Sequence, residues 1–185
     1  LDGRIVPLTR STRLAGPAFT VEIRPGDNLM IHAAMALAQP GDVLVIDGKG
    51  DRSCAVMGAI MITTCKKLGL GGVVIDGAHR DTEDLLALGF PVYSVGSNPN
   101  GPTKRVPGRI NGPISCGGVA VNPGDLVVGD GDGVVVVERE TVASLLAPAA
   151  QKVTDERLRI EEITSGRNIR PVWLQSALRA TGLLQ

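Results

Sequence analysis

The sequence predicts an α/β protein in which helices alternate with short buried strands. Three apolar segments have the length and the Val and Ile content of strands buried on both faces: Val43 to Ile46, Val73 to Ile75 and Pro91 to Val95. Segments with apolar residues at helical spacing separate them, and this alternation is typical of an α/β fold. At 185 residues the chain suits one domain with a sizeable core.

The predicted helices start after a polar or small residue and stop near a helix breaker. Asp27-Asn28 offers a cap for the first helix, and the second ends where Gly69 to Gly72 interrupts the apolar spacing. The predicted boundaries are Leu29 to Ala38, Ser53 to Leu68, Thr82 to Leu88 and Val142 to Thr164.

The segments between these elements are predicted turns and loops. Pro40-Gly41-Asp42 and Pro123-Gly124-Asp125 each precede an apolar strand, and we interpret this similarity as a shared turn rather than a duplication. Asp130-Gly-Asp-Gly is expected to close a hairpin with Val134 to Val137. The polar stretch from Ser97 to Pro107 is either a surface loop or a mobile cover over a site.

The character of the chain is predicted to change at residue 142. Residues 1–141 form the α/β domain, and residues 142–185 form a charged helical tail that includes Trp173. The tail is expected to pack onto the body or onto a neighbouring subunit, which favours a homo-oligomer. The chain opens on Leu1 without a Met, so we expect a segment upstream of it.

Composition argues against several classes of protein. Lys and Arg together number 19, as do Asp and Glu, so no net charge attracts nucleic acid or an anionic membrane. One Trp, one Tyr and two Phe leave few rings for base stacking. No apolar run is long enough to span a bilayer, and Cys54, Cys65 and Cys116 form no C-x-x-C pair. We therefore expect a soluble, cytoplasmic protein with reduced thiols.

The most informative segment joins the strand at Val73 to the helix at Thr82. The strand is predicted to stop at Asp76-Gly77, and Arg80-Asp81 follows at its carboxyl end, where ligands bind in α/β proteins. An Arg here can bind a carboxylate through two hydrogen bonds, and an adjacent Asp can hold a hard divalent cation. The alternative, that both residues only cap the following helix, stays open.

Gly58 marks a second candidate position. If a helix begins near Gly58, its free N–H groups form an anion site next to Arg80. A small carboxylate would then lie between backbone amides and a guanidinium. The alternative is that Gly58 only permits close packing.

The other polar residues give weaker signals. His32 is more typical of a packed residue on the first helix than of a ligand, whereas His79 lies beside Arg80 and is a candidate pocket residue. Gly129 to Gly133 resembles a calcium loop but lacks the bidentate Glu and the ligand spacing, so we reject a calcium site. No Cys has a catalytic partner and no Ser occupies a G-x-S-x-G turn, which argues against nucleophilic acyl transfer.

Five segments in order carry a resemblance to a known family: LAGPAFTV, HAAMALAQPGDVLVID, GLGGVVIDGAHRD, GFPVYS and NPGDLVVGDGDGVVVV, within residues 14–137. They resemble the family of the regulator of ribonuclease activity A (RraA) and the class II 4-hydroxy-4-methyl-2-oxoglutarate aldolases. The resemblance implies an α/β/β sandwich related to the swivelling phosphohistidine domains, assembled as trimers or hexamers. The aldolase members bind Mg²⁺ or Mn²⁺; they cleave 4-hydroxy-2-oxo acids to pyruvate and can decarboxylate oxaloacetate.

The resemblance also implies roles for the candidate residues. Arg80 would bind the carboxylate and the keto oxygen of the substrate, and Asp81 would coordinate the metal, mostly through water. Asp84 would complete an Arg-Asp-x-x-acid pattern. The pyruvyl carboxylate would be held by Gly58 and the amides of Ile60 and Met61.

One position departs from the aldolase pattern. Aldolases of this family usually have an acid directly after the Gly, and that acid is thought to manage protons through a metal-bound water. This chain has Ala59 there. The acids that would substitute for it are Asp47, Glu83, and Glu161 or Glu162 from a neighbouring subunit's tail.

Three functions remain, in order of preference. The first is a divalent-metal-dependent lyase on a small 2-oxo acid, which Arg80-Asp81 and Gly58 favour. The second is a non-catalytic regulator that binds an RNA-processing enzyme, which Ala59 favours. The third is a methyltransferase, which is disfavoured because the chain lacks a glycine-rich nucleotide loop after its first strand.

Overall fold

The computed structural model describes residues 1–183 and divides the chain into two compact units. The first unit comprises Leu1–Glu140, and the second begins at Thr141. This division falls beside the boundary predicted at residue 142.

The first unit contains ten strands and three helices over residues 1–140. The strands are β1 (Val6–Pro7), β2 (Leu14–Glu22), β3 (Val43–Met57), β4 (Gly72–His79), β5 (Val92–Ser97), β6 (Arg109–Ile110), β7 (Ile114–Cys116), β8 (Val119–Val121), β9 (Leu126–Gly129) and β10 (Val134–Val137). The helices are α1 (Leu29–Leu37), α2 (Ala59–Lys67) and α3 (Thr82–Leu88). The predicted α/β class is confirmed.

A mixed sheet with the strand order β1-β5-β4-β3-β2-β9-β10 organises the first unit, with β6 paired to β2. Strands β2 to β5 run parallel, and α1, α2 and α3 connect them in turn. Strands β9 and β10 pair antiparallel, which confirms the hairpin predicted at Asp130-Gly-Asp-Gly. Because parallel strands end at the same edge of a sheet, the segments that follow β2, β3, β4 and β5 lie close together.

Alternation along the parallel strands divides the core into two apolar clusters. In β3, Leu44 and Ile46 belong to the cluster that also receives the buried sides of α1, α2 and α3. Val43 and Val45 belong to the other cluster, together with Tyr93. Since successive side chains of a strand point to opposite faces, the sheet is buried on both sides, as its continuous apolar runs indicate.

The predicted end of β3 and start of α2 are wrong. Strand β3 continues to Met57, so the helix begins at Ala59 rather than at Ser53. Lys49 and Gly50 have φ angles of 60° and 71°, and the register with β4 shifts at this point before pairing resumes. The spacing of the apolar residues fits a helix, but pairing with β4 satisfies the backbone groups and decides for a strand.

The two Pro-Gly-Asp turns share one hydrogen-bond pattern. Asp42 Oδ2 accepts a hydrogen bond of 2.7 Å from the N–H of Gln39, and Asp125 Oδ2 accepts one of 2.8 Å from the N–H of Asn122. The glycines between them have φ angles of 91° and 84°. The prediction of a shared turn is confirmed.

The second unit contains α4 (Val142–Thr164), with the predicted boundaries, and α5 (Leu174–Ala180). Neither helix buries a residue. Packing of this tail onto the body or a neighbouring subunit, and assembly into a homo-oligomer, stay predictions. Residues 184 and 185, the end of the predicted tail, lie outside the described residues.

Over residues 1–183, no helix combines the length and the hydropathy needed to cross a membrane. Cys54, Cys65 and Cys116 are buried and free of disulfides. Burial raises the pKa of the Cys65 thiol to about 12, so this thiol is not a nucleophile at neutral pH.

Candidate functional site

The candidate site lies where β3 and β4 end side by side. Gly58 follows β3 and precedes α2, while Arg80-Asp81 follows β4 and precedes α3. The main-chain N–H of Arg80 donates a 3.0 Å hydrogen bond to the carbonyl of Met57, which joins the two strand ends. The structure therefore brings Gly58, Arg80 and Asp81 together.

Asp81 occupies the N-cap position of α3 in the left-handed region, with φ 61° and ψ 42°. Its side chain makes no cap hydrogen bond to α3. Instead, Asp81 Oδ2 accepts a hydrogen bond of 2.9 Å from the N–H of Ala59 and lies 3.6 Å from Arg80 Nε. The alternative that Asp81 only caps its own helix is therefore wrong. A left-handed conformation at a residue other than Gly is uncommon, and such residues cluster at functional sites, although Asp tolerates it better than most.

Gly58 has no room for a side chain. Its φ of −152° is open to any residue. A Cβ at this position, however, would lie 2.5 Å from Asp81 Oδ2 and 2.9 Å from Arg80 Nε. Close packing is thus the local role of Gly58, and this packing lets the Arg80-Asp81 pair lie against the first turn of α2.

The first turn of α2 presents amide groups that have no partner within the helix. The first hydrogen bond of α2 runs from the N–H of Ile62 to the carbonyl of Gly58, at 3.0 Å. The N–H groups of Ile60 and Met61 lie before it in the chain, so no carbonyl of the helix accepts a hydrogen bond from them. With the helix dipole, such groups attract anions.

A pocket of about 300 Å³ opens beside this turn. Gly58, Ile60, Met61 and Arg80 form one part of its lining, and its other polar lining residues are Asn28, His32 and Lys104. Arg80 and Lys104 are cationic, and none of the described residues that line the pocket carries a carboxylate. The pocket therefore favours an anionic ligand.

Arg80 also lines a second hollow of about 340 Å³, which Asp81, Thr82, Ser97 and Asn98 help to line. The Arg80 side chain is 42% exposed, and its contact with Asp81 involves only Nε. Within residues 1–183 its two terminal nitrogens donate no hydrogen bond. The guanidinium fork is therefore available to a carboxylate or a keto oxygen.

The second hollow fits a divalent cation that keeps most of its water. Asp81 uses Oδ2 for its contacts with Ala59 and Arg80, and its Oδ1 accepts no hydrogen bond from the described residues. Mg²⁺ binds proteins through one or two carboxylates and retains several waters. The described residues contain no cluster of three His, Cys, Asp or Glu, so a site enclosed by protein ligands does not fit.

Asp84 is exposed in the first turn of α3 and lines neither hollow, and its role as a ligand stays a prediction.

Asp27 ties the start of α1 to the polar stretch that follows β5. Its Oδ1 accepts a hydrogen bond of 2.9 Å from the N–H of Leu29, the first residue of α1, whereas Asn28 at the N-cap position makes no side-chain cap hydrogen bond, so only the Asp27 part of the predicted cap is confirmed. Its Oδ2 accepts hydrogen bonds from Thr103 Oγ1 (2.6 Å) and from the N–H groups of Arg105 (2.7 Å) and Val106 (3.2 Å). Burial alone would raise the pKa of Asp27, but these hydrogen bonds to the ionised carboxylate outweigh burial and lower the pKa to about 2.

The stretch from Ser97 to Pro107 consequently forms part of the pocket. Gly101, Pro102 and Lys104 line it. The stretch is thus a largely exposed loop that contributes to the pocket wall, and its role as a mobile cover stays a prediction.

The two histidines lie in different surroundings from those predicted. His79 is buried between Ser94 Oγ (2.7 Å) and Thr82 Oγ1 (3.0 Å) and lines neither hollow, so its prediction as a pocket residue is wrong. His32 is exposed and lines the pocket. Burial lowers the pKa of His79, and partial desolvation of the ring together with the charge of Lys104 lowers that of His32.

Asn28 and Lys104 are pocket residues that sequence reasoning missed. Asn28 was expected only as part of a helix cap. Its position after β2, at the same sheet edge as Arg80, was the available signal. Lys104 lies in a stretch without periodicity, and no sequence pattern places it near Arg80.

Asp47 and Glu83 are the two acids of the first unit that were proposed to substitute for the acid missing at position 59. Neither of them lines the pocket or the second hollow. Asp47 is buried and accepts a hydrogen bond of 2.6 Å from Lys49 Nζ. Glu83 is exposed in α3. Glu161 and Glu162 belong to the second unit, and their contribution from a neighbouring subunit stays a prediction.

Comparison with known proteins agrees with the resemblance of the five sequence segments. The model of the RraA-like family, described as Aldolase/RraA, matches residues 1–136. A relative from Halalkalibacterium halodurans has the provisional name 4-hydroxy-4-methyl-2-oxoglutarate aldolase. It is 43% identical over 164 residues, which cover 89% of this chain and 78% of the relative.

Two solved structures share the fold. An uncharacterized protein from Pseudomonas syringae pv. tomato superposes with a TM-score of 0.79 and 32% identity, covering 88% of this chain and 79% of that one. The RNA-processing inhibitor RraA from Thermus thermophilis superposes with a TM-score of 0.69 and 28% identity, covering 74% of this chain and 83% of that one.

Proposed function

The chain belongs to the RraA-like family, and from this premise we propose that it is a divalent-metal-dependent lyase acting on a small 2-oxo acid. The favoured reactions are retro-aldol cleavage of a 4-hydroxy-2-oxo acid to pyruvate and decarboxylation of oxaloacetate. One observation carries the proposal: Arg80 lines both the pocket beside the first turn of α2 and the hollow that Asp81 also lines. The provisional aldolase name of the H. halodurans relative supports the class of reaction.

Arg80 is placed to stabilise the charge that develops in both reactions. When the C–C bond breaks, its electron pair moves into the pyruvyl fragment and forms an enolate, whose negative charge rests on the former keto oxygen. A fixed guanidinium at that oxygen stabilises the enolate more than the neutral ketone. Two contacts position Arg80: its main-chain N–H donates a hydrogen bond to the carbonyl of Met57, and its Nε forms an ion pair with Asp81.

The first turn of α2 is suited to the carboxylate at the other end of the pyruvyl group. The amides of Ile60 and Met61 can donate to its oxygens without breaking a helical hydrogen bond. Ala59 is not available for this role because its N–H donates to Asp81. This arrangement orients the keto oxygen relative to Arg80.

Asp81 is the residue that would hold Mg²⁺ or Mn²⁺, through Oδ1 and with water in the remaining positions, and Asp84 is a second candidate. When bound, the ion supplies Lewis-acid stabilisation of the developing negative charge.

Ala59 affects the two reactions differently. Retro-aldol cleavage requires a base to remove the proton of the hydroxyl group on C4, whereas decarboxylation releases CO₂ without removing a proton first. The described residues lining the pocket contain no carboxylate that would serve as this base. Decarboxylation of oxaloacetate is therefore the reaction expected to tolerate Ala59 better.

The test is pyruvate release from oxaloacetate, measured with Mg²⁺ and with EDTA for the parent protein and for Arg80→Ala. The proposal expects release that depends on the metal and is abolished in Arg80→Ala. The matched control is Arg139→Ala, which removes an exposed Arg that lines neither hollow. If neither oxaloacetate nor a 4-hydroxy-2-oxo acid yields pyruvate above the rate of free Mg²⁺, the lyase proposal is wrong.

A regulatory function is the second candidate, and Ala59 is the observation that favours it. A pocket without a carboxylate retains the means to bind an anion but lacks the proton-handling acid expected of an aldolase. The likeness to the T. thermophilis RNA-processing inhibitor supports this alternative. Capture of an RNA-degrading enzyme or its helicase by the immobilised protein would support it, provided that Arg80→Ala captures the same partner. Absence of either enzyme from the captured proteins would argue against it.

A further inference from the structure

His79 links the start of α3 to β5 through two hydrogen bonds of its buried ring. The residue is the last of β4, directly before Arg80, and it is 4% exposed. Its Nδ1 lies 2.7 Å from Ser94 Oγ, and its Nε2 lies 3.0 Å from Thr82 Oγ1. Both nitrogens of the imidazole have fixed partners, so the ring holds one orientation. The proposed lyase chemistry uses none of these three side chains.

The partners of the ring assign its tautomer. Ser94 Oγ donates a hydrogen bond to the carbonyl of Gly96 at 3.4 Å, so its oxygen is the acceptor toward His79 Nδ1. With the ring proton on Nδ1, the neutral Nε2 accepts the hydroxyl proton of Thr82. A chain of three hydrogen bonds thus runs from Thr82 at the start of α3 through His79 to β5.

The ring closes a loop around the two functional residues of the site. Thr82 follows His79 by three positions, and Arg80-Asp81 lies between them. Asp81 has its left-handed conformation inside this loop, and such a conformation persists only where the surrounding structure holds it. The main chain adds a further tie, because the carbonyl of His79 accepts a hydrogen bond of 2.9 Å from the N–H of Asn98.

Two other hydrogen bonds attach this loop to its neighbours. The N–H of Arg80 donates to the carbonyl of Met57, and Asp81 Oδ2 accepts from the N–H of Ala59. The second of these uses the carboxylate that belongs to the site. The hydrogen bond between Thr82 and His79, in contrast, leaves the Arg80 and Asp81 side chains free for a ligand.

We propose that His79 is a positioning residue that fixes the Arg80-Asp81 pair through its hydrogen bond with Thr82. The proposal rests on the lyase function in that these two residues form the proposed site. Loss of the hydrogen bond lets the loop relax from the left-handed conformation. The Asp81 carboxylate then moves away from Ala59, and the guanidinium moves relative to the pocket.

Three variants isolate this hydrogen bond. Thr82→Val removes the hydroxyl group and keeps the shape of the side chain, whereas Thr82→Ser keeps the hydroxyl group. His79→Asn retains a donor that can serve Ser94 but is too short to reach Thr82. Since Thr82 is only partly buried, its variants keep the proposal testable even if His79→Asn does not fold.

The first measurement is the kcat of oxaloacetate decarboxylation with Mg²⁺. We expect it to fall about tenfold in Thr82→Val and in His79→Asn, the lower end of the effects seen when a group that orients a metal ligand is removed. Thr82→Ser should restore the rate of the parent protein. The control is Thr154→Val, which removes an exposed hydroxyl group in α4 and should also keep the parent rate. Equal loss in Thr82→Val and Thr82→Ser would overturn the proposal.

The double variant His79→Asn/Thr82→Val separates positioning from direct contact with a ligand. Thr82 lines the second hollow, so Thr82→Val by itself also removes any contact of the hydroxyl group with a bound molecule. If both residues act through one hydrogen bond, the double variant is no slower than either single variant. Multiplication of the two losses, to about 100-fold, would overturn the proposal.

Hydrogen exchange followed by NMR gives a readout that does not depend on catalysis. The amide of Ala59 donates to Asp81 Oδ2, while the amide of Ile62 in the same turn donates to the carbonyl of Gly58. In Thr82→Val and His79→Asn, displacement of Asp81 should speed exchange at Ala59 and leave Ile62 unchanged. General loss of stability would speed both. Unchanged exchange at Ala59, or equal acceleration at both amides, would overturn the proposal.

The lyase function and the role of His79 fail in different ways. Absence of pyruvate from oxaloacetate and from a 4-hydroxy-2-oxo acid refutes the lyase function, whereas exchange at Ala59 still reports whether Asp81 has moved. Conversely, metal-dependent release of pyruvate that Thr82→Val and His79→Asn leave unchanged refutes only the positioning role of His79.

Discussion

The N–H of Ala59 donates a hydrogen bond of 2.9 Å to Oδ2 of Asp81. This contact joins the first residue of α2 to the residue that precedes α3, across the boundary between β3 and β4. It directs the Asp81 carboxylate away from its own helix and toward Arg80. The position that departs from the aldolase pattern is therefore still part of the site, through its backbone rather than through an acidic side chain.

Gly58→Ala should disrupt this arrangement. The backbone conformation accepts Ala, but the new Cβ would lie 2.5 Å from Asp81 Oδ2 and 2.8 Å from Arg80 Cγ, so the pair has to move. We expect pyruvate release to fall about 100-fold, since displacements of about 1 Å in a site have effects of this size. Gly112→Ala, where a Cβ meets no atom within 4 Å, is the control and should keep full activity. Equal activity of the two variants would contradict the geometry proposed for the site.

Asp81→Asn tests the carboxylate with little change in shape. Asn tolerates the left-handed backbone and retains an oxygen that can accept from Ala59. The ion pair with Arg80 is well exposed, so its loss should lower the free energy of unfolding by less than about 1 kcal/mol. Metal-dependent pyruvate release should nevertheless fall by about 100-fold, because the charge that holds Mg²⁺ is lost. Calorimetric titration with Mg²⁺ should show weaker binding, and unchanged Mg²⁺ affinity would place the metal elsewhere.

Asp27→Asn should loosen the segment from Ser97 to Pro107. One neutral oxygen and one NH₂ group replace a carboxylate that accepts four hydrogen bonds, and donors from Thr103 or Arg105 are left unpaired. We expect a loss of about 1–3 kcal/mol in the free energy of unfolding, measured with urea. A hydrogen-exchange measurement should show faster exchange at Arg105 and Val106. Normal protection of these two amides would contradict the proposed role of Asp27.

The pH dependence of stability near Asp27 follows from its lowered pKa. The folded-state pKa of about 2 lies below the ordinary pKa of an Asp side chain, 3.8, so Asp27 contributes stability above pH 3.8 that is lost as the pH falls toward 2. The melting temperature of the parent protein should therefore fall more steeply between pH 4 and pH 2 than that of Asp27→Asn. Parallel curves over this interval would show that other carboxylates dominate acid unfolding.

His79 should make the protein less stable under mildly acidic conditions. Burial lowers its pKa in the folded state below the ordinary His value of 6.5, so the unfolded chain binds the proton more readily. Stability is then complete above pH 6.5 and declines as the pH falls below it. His79→Gln should have a flatter melting-temperature profile from pH 7.5 to 5.5. His32→Gln is the comparison, since the pKa of His32 is lowered as well; if only that variant flattens the profile, the assignment to His79 is wrong.

Local patterns predicted much of the fold because the interactions involved are local or repeat along the chain. The Pro-Gly-Asp turns depend on a carboxylate that bonds a residue three positions earlier, and α4 depends on spacing within one helix. The boundary between β3 and α2 was mispredicted because it depends on the pairing of Asp51 with Gly77 in β4, a contact between distant parts of the chain.

By itself, the sequence determined the α/β class, the family and the importance of Gly58 and Arg80-Asp81, because strand ends, glycines and charged pairs leave a signal in the chain itself. The tertiary structure alone decided which residues share the pocket with Arg80. Asn28 and Lys104 come from segments separated by more than seventy positions, and Asp27 brings these segments together through Thr103 and Arg105. Hydrogen bonds between distant segments form only once the sheet has placed their strand ends side by side, so no periodicity or spacing in the sequence can record them.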